Sequence, residues 1–337
     1  MLLIFLCMSS SSSYSQTIPI TSNGPLKMGQ SVVTSYDDPT NLSYKTVRVI
    51  DIRNRPPFVT GGSELFPNQF AGQDWTYAKL GNIFGITIDD NLNPNIFVAR
   101  STVYCNDNNN PVVPDSAIIY RLDGANWGAS TYAKYRNIPG PPQANVNWIP
   151  NTGSGIGNIC FDKWHHQMFA TNHEDGKIYR VKDVSGVGQV SSWYDPFLPD
   201  DKVPGFAIRG ELLWGIGSYG TSANDVRVYF SRWRFDIQFQ NTPNEYNEIW
   251  SIALDVNGEF IPASIRREIK LPLLLNYQTP LTDSTYSNPV SDIEFSFNGD
   301  MLCGERSMYG NTGVCGTDGT RAHRSRILEY PRDQRKL

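Results

Sequence analysis

A short strand pattern that returns four times is the feature that most constrains this chain. It reads AIIYRLDG (Ala117–Gly124), KIYRVKD (Lys177–Asp183), EIWSIALD (Glu248–Asp255) and RILEYPRD (Arg326–Asp333). Anchored on Ile119, Ile178, Ile249 and Ile327, the copies are 59, 71 and 78 residues apart. A second pattern precedes each copy: NIFVAR (Asn95–Arg100), QMFATN (Gln167–Asn172), VRVYFSR (Val226–Arg232) and DMLCGER (Asp300–Arg306). A third precedes that: GITID (Gly85–Asp89), NICFD (Asn158–Asp162) and DIEFS (Asp292–Ser296), with GELLWGIG (Gly210–Gly217) filling the place in the remaining unit. A more variable fourth follows in VSSWYDP (Val190–Pro196) and PASIRREIKL (Pro262–Leu271).

Four short alternating strands per unit, repeated in one order, describe the blades of a β-propeller. A two-sheet sandwich accounts for the strands but not for their order. The turns agree, because HEDG and FNGD place glycine where a tight hairpin needs positive φ. Composition points the same way: 8 Trp, 17 Tyr, 16 Phe, 28 Gly and 22 Pro, with only 18% charged residues, suit an all-β chain. The expected fold is all-β, a β-propeller of four-stranded antiparallel blades, about five in number within a range of four to six. Ser31–Asp38 and Lys45–Asn54 are two further strands. The last unit stops after its third strand at Tyr330, and KTVRVIDIR could supply the missing fourth, closing the ring and removing a sheet edge.

Residues 16–330 form the propeller domain, and 331–337 are expected to be a tail without structure. Residues 1–15 read as a signal peptide: the apolar run Met1–Met8 leads through serines to Ser13-Tyr14-Ser15, a small-x-small cleavage pattern, although no basic residue precedes the run. An exported chain is expected at the bacterial cell surface or in secreted material. No later stretch approaches the roughly 20 apolar residues of a membrane span. A net charge of −4 without a clustered basic face gives no case for nucleic acid. Four cysteines follow the leader: Cys105, Cys160, Cys303 and Cys315. Cys303 and Cys315 flank one loop and are the expected disulfide pair. Cys160 sits in an apolar strand pattern and is expected to be buried.

GIGNICFDKWHHQMFATNHEDGKIYRV and PVSDIEFSFNGDMLCGERS resemble blades of the secreted NHL-type and gluconolactonase-like propellers of bacteria. Over about residues 45 to 330 the chain resembles the propeller regions at the N-terminal end of long bacterial surface proteins. These are blade motifs, so they speak to fold more than to chemistry.

Three of the four histidines, His165, His166 and His173, fall within nine residues. In a blade, KWHH and HEDG are turns at opposite ends of the strand Gln167–Asn172, about 20 Å apart at ~3.3 Å per residue. They therefore share no metal, and both are expected to be solvated turns. The inner strands offer more. Aligned on Ile86, Ile159 and Ile293, the preceding residues are Gly85, Asn158 and Asp292. Asn158 and Asp292 would face one central channel from different blades, and oxygen donors from several strands suit calcium. The resemblance implies the same, since gluconolactonase-like enzymes hold a divalent ion with Glu, Asn and Asp at such positions and polarise a lactone or phosphoester with it. Gly85 departs from that pattern, and Glu211 is the weak candidate in the third unit. The alternative is that both side chains hydrogen-bond to backbone or water.

DDNLNPN (Asp89–Asn95) lacks the glycine and the bidentate glutamate of a calcium loop and reads as a polar turn. No GxSxG occurs, and no nucleophile, base or complete metal shell is visible. The expected function is a binding or adhesion module that takes a protein or glycan ligand on a loop face. Its candidate loops are 104–116, 136–154, 233–247 and 274–289. A calcium-dependent hydrolase of lactones or related esters, and a structural spacer of a longer surface protein, are the alternatives.

Overall fold

A computed structural model describes residues 26–35, 41–53, 69–101, 117–135, 155–197, 211–234, 246–272, 288–306 and 325–335. Residues 1–15, expected to be a signal peptide, Cys105, Cys315 and most of the four candidate loops lie outside them. The regular structure of the described residues is almost all strand, with one four-residue α-helix, Tyr77–Leu80, and two 3-10 turns.

Five antiparallel sheets follow one another along the sequence. The first holds β1 (Gln30–Thr34), β2 (Val47–Asp51) and β3 (Gln69–Phe70). The second runs β4 (Ile83–Ile88), β5 (Ile96–Arg100), β6 (Ala117–Leu122) and β7 (Ala129–Tyr135). The third runs β8 (Ile156–Asp162), β9 (Gln167–Asn172), β10 (Ile178–Val184) and β11 (Val187–Tyr194). The fourth runs β12 (Leu212–Tyr219), β13 (Arg227–Trp233), β14 (Glu248–Ala253) and β15 (Arg266–Lys270). The fifth holds β16 (Val290–Phe295), β17 (Met301–Glu305) and β18 (Ile327–Tyr330). Blades two to five keep the strand order read from the repeat, and the chain is a five-bladed β-propeller.

The cores lie between blades. Val47 and Val49 of the first sheet meet Ile86, Val98 and Tyr120 of the second. Phe97, Ile119 and Tyr132 meet Ile159, Met168 and Tyr179 of the third. Cys160, Phe169 and Ile178 meet Ile216, Val228 and Phe230 of the fourth. Tyr229, Ile249 and Ile269 meet Ile293, Met301 and Cys303 of the fifth. Alternating side chains point to the preceding and the following blade, so both faces of each sheet are apolar and the strands read as nearly continuous hydrophobic runs.

The inner strands β4, β8, β12 and β16 run side by side in one direction. A Cβ on Gly85 would sit 2.9 Å from the Ile159 nitrogen, one on Gly157 3.1 Å from the Leu213 oxygen, and one on Gly215 2.8 Å from the Asp292 nitrogen. Backbones this close leave room only for hydrogen at the α-carbon. Each of the four strands also carries a β-bulge at the equivalent step, at Ile83/Gly85, Ile156/Ile159, Leu213/Ile216 and Val290/Asp292.

Aspartates that end the repeat patterns close the turns at the far end of the strands. Asp89 accepts the backbone N–H of Asn91 and Asn95, Asp123 those of Ala125 and Asn126, and Asp255 those of Asn257 and Glu259. These are Asx turns, in which a short carboxylate replaces a backbone acceptor. DDNLNPN is thus the polar turn expected of it. Gly176 and Gly299 adopt φ of 70° and 88°, as HEDG and FNGD required, and Ser185 and Gly186 make the two-residue turn between β10 and β11 with φ of 57° and 83°.

Two expectations are corrected. KTVRVIDIR does not complete the last blade: Val47–Asp51 lies in the middle of the N-terminal sheet, paired with β1 on one side and β3 on the other. Among the described residues the fifth sheet stays three-stranded. The tail expected to lack structure forms a 3-10 turn at Arg332–Arg335, with the Arg332 N–H on Asp300 at 3.1 Å and its guanidinium over Tyr219.

Candidate functional site

In blades two to five every connection is anchored at one of two ends. At the end where the inner strands finish, the connections are short: 89–95, 123–128, 163–166, 185–186, 220–226, 254–265 and 296–300. At the end where they begin lie 101–116, 136–155, 195–211, 234–247, 271–289 and 306–326, each of 14 to 21 residues, and one short turn, 173–177. In compact domains most connections are a few residues long, and long ones are frequently functional.

The bulges of the inner strands lie at the same end. The bulges bring Gly85, Asn158, Gly215 and Asp292 to equivalent positions on four inner strands. The third-unit position is therefore Gly215; Glu211, the weak candidate there, lies in the turn before β12. Asn158 and Asp292 do meet. The Asn158 amide nitrogen donates to the Asp292 carboxylate at 2.8 Å and to the Ser291 carbonyl at 2.9 Å. Its oxygen accepts the Ile159 N–H at 2.8 Å. Gly85 makes this possible, since a Cβ there would lie 2.9 Å from the Asn158 oxygen.

Asp292 is buried, and burial pushes its carboxyl up to about 6, against the pull of Asn158 and the Ile293 N–H. Glu294, two residues on and on the same side of β16, is pushed up to about 8 by its surroundings and then by the Asp292 charge. Glu294 was not singled out from sequence, although the i, i+2 spacing in a strand was the available signal. The Cys160 thiol is buried and raised, first by burial and then by Glu294.

Near the start of the inner strands sits an aromatic cluster that sequence reasoning also missed. Phe84 stacks on Trp214 at 6.1 Å between centroids, Trp214 lies 6.0 Å from Trp233, and the Arg306 guanidinium lies 5.5 Å from the Trp214 ring. His173 packs against both tryptophans, with Nδ1 3.2 Å from the Leu213 carbonyl. Burial is the main cause that lowers its pKa to about 4, so the ring is neutral near pH 7.

The histidine turns thus differ from expectation in one respect. KWHH is largely exposed, as expected of a solvated turn, with His165 Nδ1 2.6 Å from Asp162 and His166 in the left-handed region. HEDG is buried throughout, His173, Glu174 and Asp175 included. The two turns occupy opposite ends of β9, and among the described residues no group of three His, Cys, Asp or Glu side chains could hold a metal. Cys160 and Cys303 are both buried. The expected disulfide partner, Cys315, falls outside the described residues.

No family model matches the chain, and no curated protein matches it in sequence. It is similar in structure to an exo-β-1,3-galactanase from Clostridium thermocellum, with 10% identity over 93% of this chain and 59% of that one and a TM-score of 0.43. It is similar to a glycosyl hydrolase from Bacteroides ovatus, with 10% identity, coverage of 93% and 84%, and a TM-score of 0.41. It is also similar to a chain of a nidogen/laminin complex, with 11% identity, coverage of 84% and 74%, and a TM-score of 0.39.

Proposed function

We propose that this chain is an exported binding propeller that takes a protein or glycan ligand on the face where its inner strands begin. The observation that carries the reading is the anchoring of its long connections at the end where the inner strands begin. A ring of blades that carries its long connections at one end has the build of a recognition surface. The leader-like N-terminus supports export, to the bacterial cell surface or to secreted material.

The test is an array of glycans and of surface proteins probed with residues 16–337, followed by deletion of residues 236–245. Ligand capture that the deletion abolishes, with the melting transition kept, is the expected result. Capture by no probe favours the spacer reading.

A second reading keeps the channel pair as an ion site of a lactonase- or esterase-like hydrolase, in line with the gluconolactonase-like resemblance. What favours it is that Asn158 and Asp292 meet, with Glu294 beside them. What weighs against it is the donor set. Calcium takes six to eight oxygens, and here the Asn158 oxygen already accepts a strand N–H while its nitrogen faces the carboxylate. The reading expects calcium to raise the unfolding midpoint saturably after chelation, and Asp292→Ala to abolish that rise. An unchanged midpoint removes it and leaves Asn158–Asp292 as a structural hydrogen bond.

A further inference from the structure

The outer cleft between blades three and four, at the end that carries the long connections, holds a concentration of positive charge at odds with a chain of net charge −4. Glu248, the first residue of β14, is buried, and three arginines converge on it. Arg267 Nη1 lies at 3.0 Å, Arg232 Nη1 at 3.4 Å and Arg234 Nη1 at 3.5 Å. Burial raises the Glu248 pKa, but the Trp250 indole N–H, Arg267, Arg234 and Arg232 outweigh it, so the carboxylate stays ionised. Lys270 stands directly opposite Glu248 in the β14–β15 register, and Arg267 opposite Trp250, so both point to the same side of the sheet. Glu211 is the second acid near Arg232. Four cations therefore face two carboxylates.

The cations have distinct surroundings. Arg232 is sandwiched, with its guanidinium 3.8 Å from the Phe197 ring centroid and 5.9 Å from that of Trp250. Its pKa is lowered, first by burial and then by Arg234, the signature of crowded like charge. Arg267 and Lys270 are exposed on the outermost strand, and the Lys270 ammonium lies 3.6 Å from the Tyr246 ring centroid. Charged residues on an edge strand can serve merely to block edge-to-edge pairing. The other described outer strands carry less charge: β7 has one lysine, β11 has neither Lys nor Arg, and β18 has one glutamate, against Arg266, Arg267 and Lys270 on β15.

We propose that this cleft binds an acidic polysaccharide, with the exposed guanidinium of Arg267 and the ammonium of Lys270 on its carboxylate or sulfate groups. Tyr246, Trp250 and Phe197, each partly exposed, supply faces for sugar rings. Arg232 and Glu248 position Arg267 rather than meet the ligand. A planar guanidinium matches a carboxylate or sulfate in a bidentate pair, and cations over aromatic rings are pre-ordered for it. A saccharide fits better than nucleic acid, because the basic surface is one cleft on an acidic chain rather than a track along a backbone. The inference deepens the binding-module reading and rests on it.

The experiment is salt elution of residues 16–337 from immobilised heparin and polygalacturonate, with dextran, single-stranded DNA and phosphatidylserine vesicles as comparisons. Retention on the acidic polysaccharides at 0.15 M NaCl is expected, at least tenfold weaker in Arg267→Gln/Lys270→Gln and unchanged in Lys134→Gln on β7. Arg267→Lys should recover only part of the loss, since it keeps the charge and loses the fork. Unchanged elution of the double variant at an unchanged melting midpoint overturns the proposal. So does equal or tighter retention on DNA or vesicles. Capture of a neutral glycan or a protein without any acidic polysaccharide overturns the proposal and leaves the binding-module reading standing, whereas capture of nothing removes both.

Discussion

Asn158 and Asp292 stand 134 residues apart in sequence and 2.8 Å apart in space. Their partnership was legible because both precede the same isoleucine of the inner-strand pattern. Glu294 was not, because nothing in DIEFS distinguishes a carboxylate crowded in the channel from one at the surface. The two carboxyls give the pair a pH signature. Their folded pKa values, about 6 and about 8, lie above the ordinary carboxylate range, chiefly through burial. Groups of this kind favour the folded state in their protonated form. The stability they contribute is fully present below about pH 4 and is lost as pH rises through the folded values. Asp292→Asn/Glu294→Gln should therefore melt above the wild type at pH 9 and level with it at pH 4. Melting curves that run parallel across that window would show that neither carboxyl is held in an unfavourable setting. A steric prediction belongs beside it: Gly85→Ala should cost about 1–3 kcal/mol, since its Cβ would overlap the Asn158 oxygen and the Ile159 nitrogen. Urea denaturation measures this, and an effect near zero would mean that the inner strands yield more easily than their spacing implies.

At the scale of elements, the repeat patterns told more than strand positions. Their closing aspartates, of which only Asp89 was read from sequence as part of a polar turn, are the acceptors that shape the far-end turns. Asp89 holds four donors: the Asn91 and Asn95 backbone N–H groups and both side-chain amides. Asp89→Ala should cost about 1.5–3 kcal/mol, the worth of hydrogen bonds to a charged acceptor whose donors lose their partner. Asp89→Asn should recover much of it, because an amide oxygen can still close the turn. Equal losses in the two variants, measured by urea denaturation, would assign the effect to charge rather than to turn geometry. What sequence could not supply at this scale was the burial of HEDG and the place of Val47–Asp51. HEDG looks like any polar hairpin, and only the Trp214 and Trp233 rings of the next blade cover its histidine. KTVRVIDIR is a good strand wherever it pairs, and its partner β3 is only two residues long. A strand's propensity says nothing about which edge it will join.

For the whole molecule, the equivalent isoleucines give a measure of how the ring holds together. Ile86, Ile159, Ile216 and Ile293 each lie in a different one of the four inter-blade cores and are almost fully buried. Truncation of any one to alanine should cost about 2–5 kcal/mol, the sum of lost transfer energy and the cavity left behind. The four effects need not appear in the same way. The inner strands touch along their length, and their glycines lock neighbouring backbones at closest approach, so loss of one core should loosen the blades on both sides of it. The expected outcome is one urea transition, shifted to lower concentration in every variant, with tryptophan fluorescence and far-UV circular dichroism superimposed. Trp75 and Trp127 report on the core of Ile86 and Trp214 and Trp233 on the fourth blade, while the dichroism reports on all five. If Ile86→Ala split the transition into two steps, with only part of the fluorescence change in the first, the first blades would unfold as a unit of their own. The proposed ligand face would then rest on the later blades alone, and the basic cluster around Glu248 would survive loss of the N-terminal sheet.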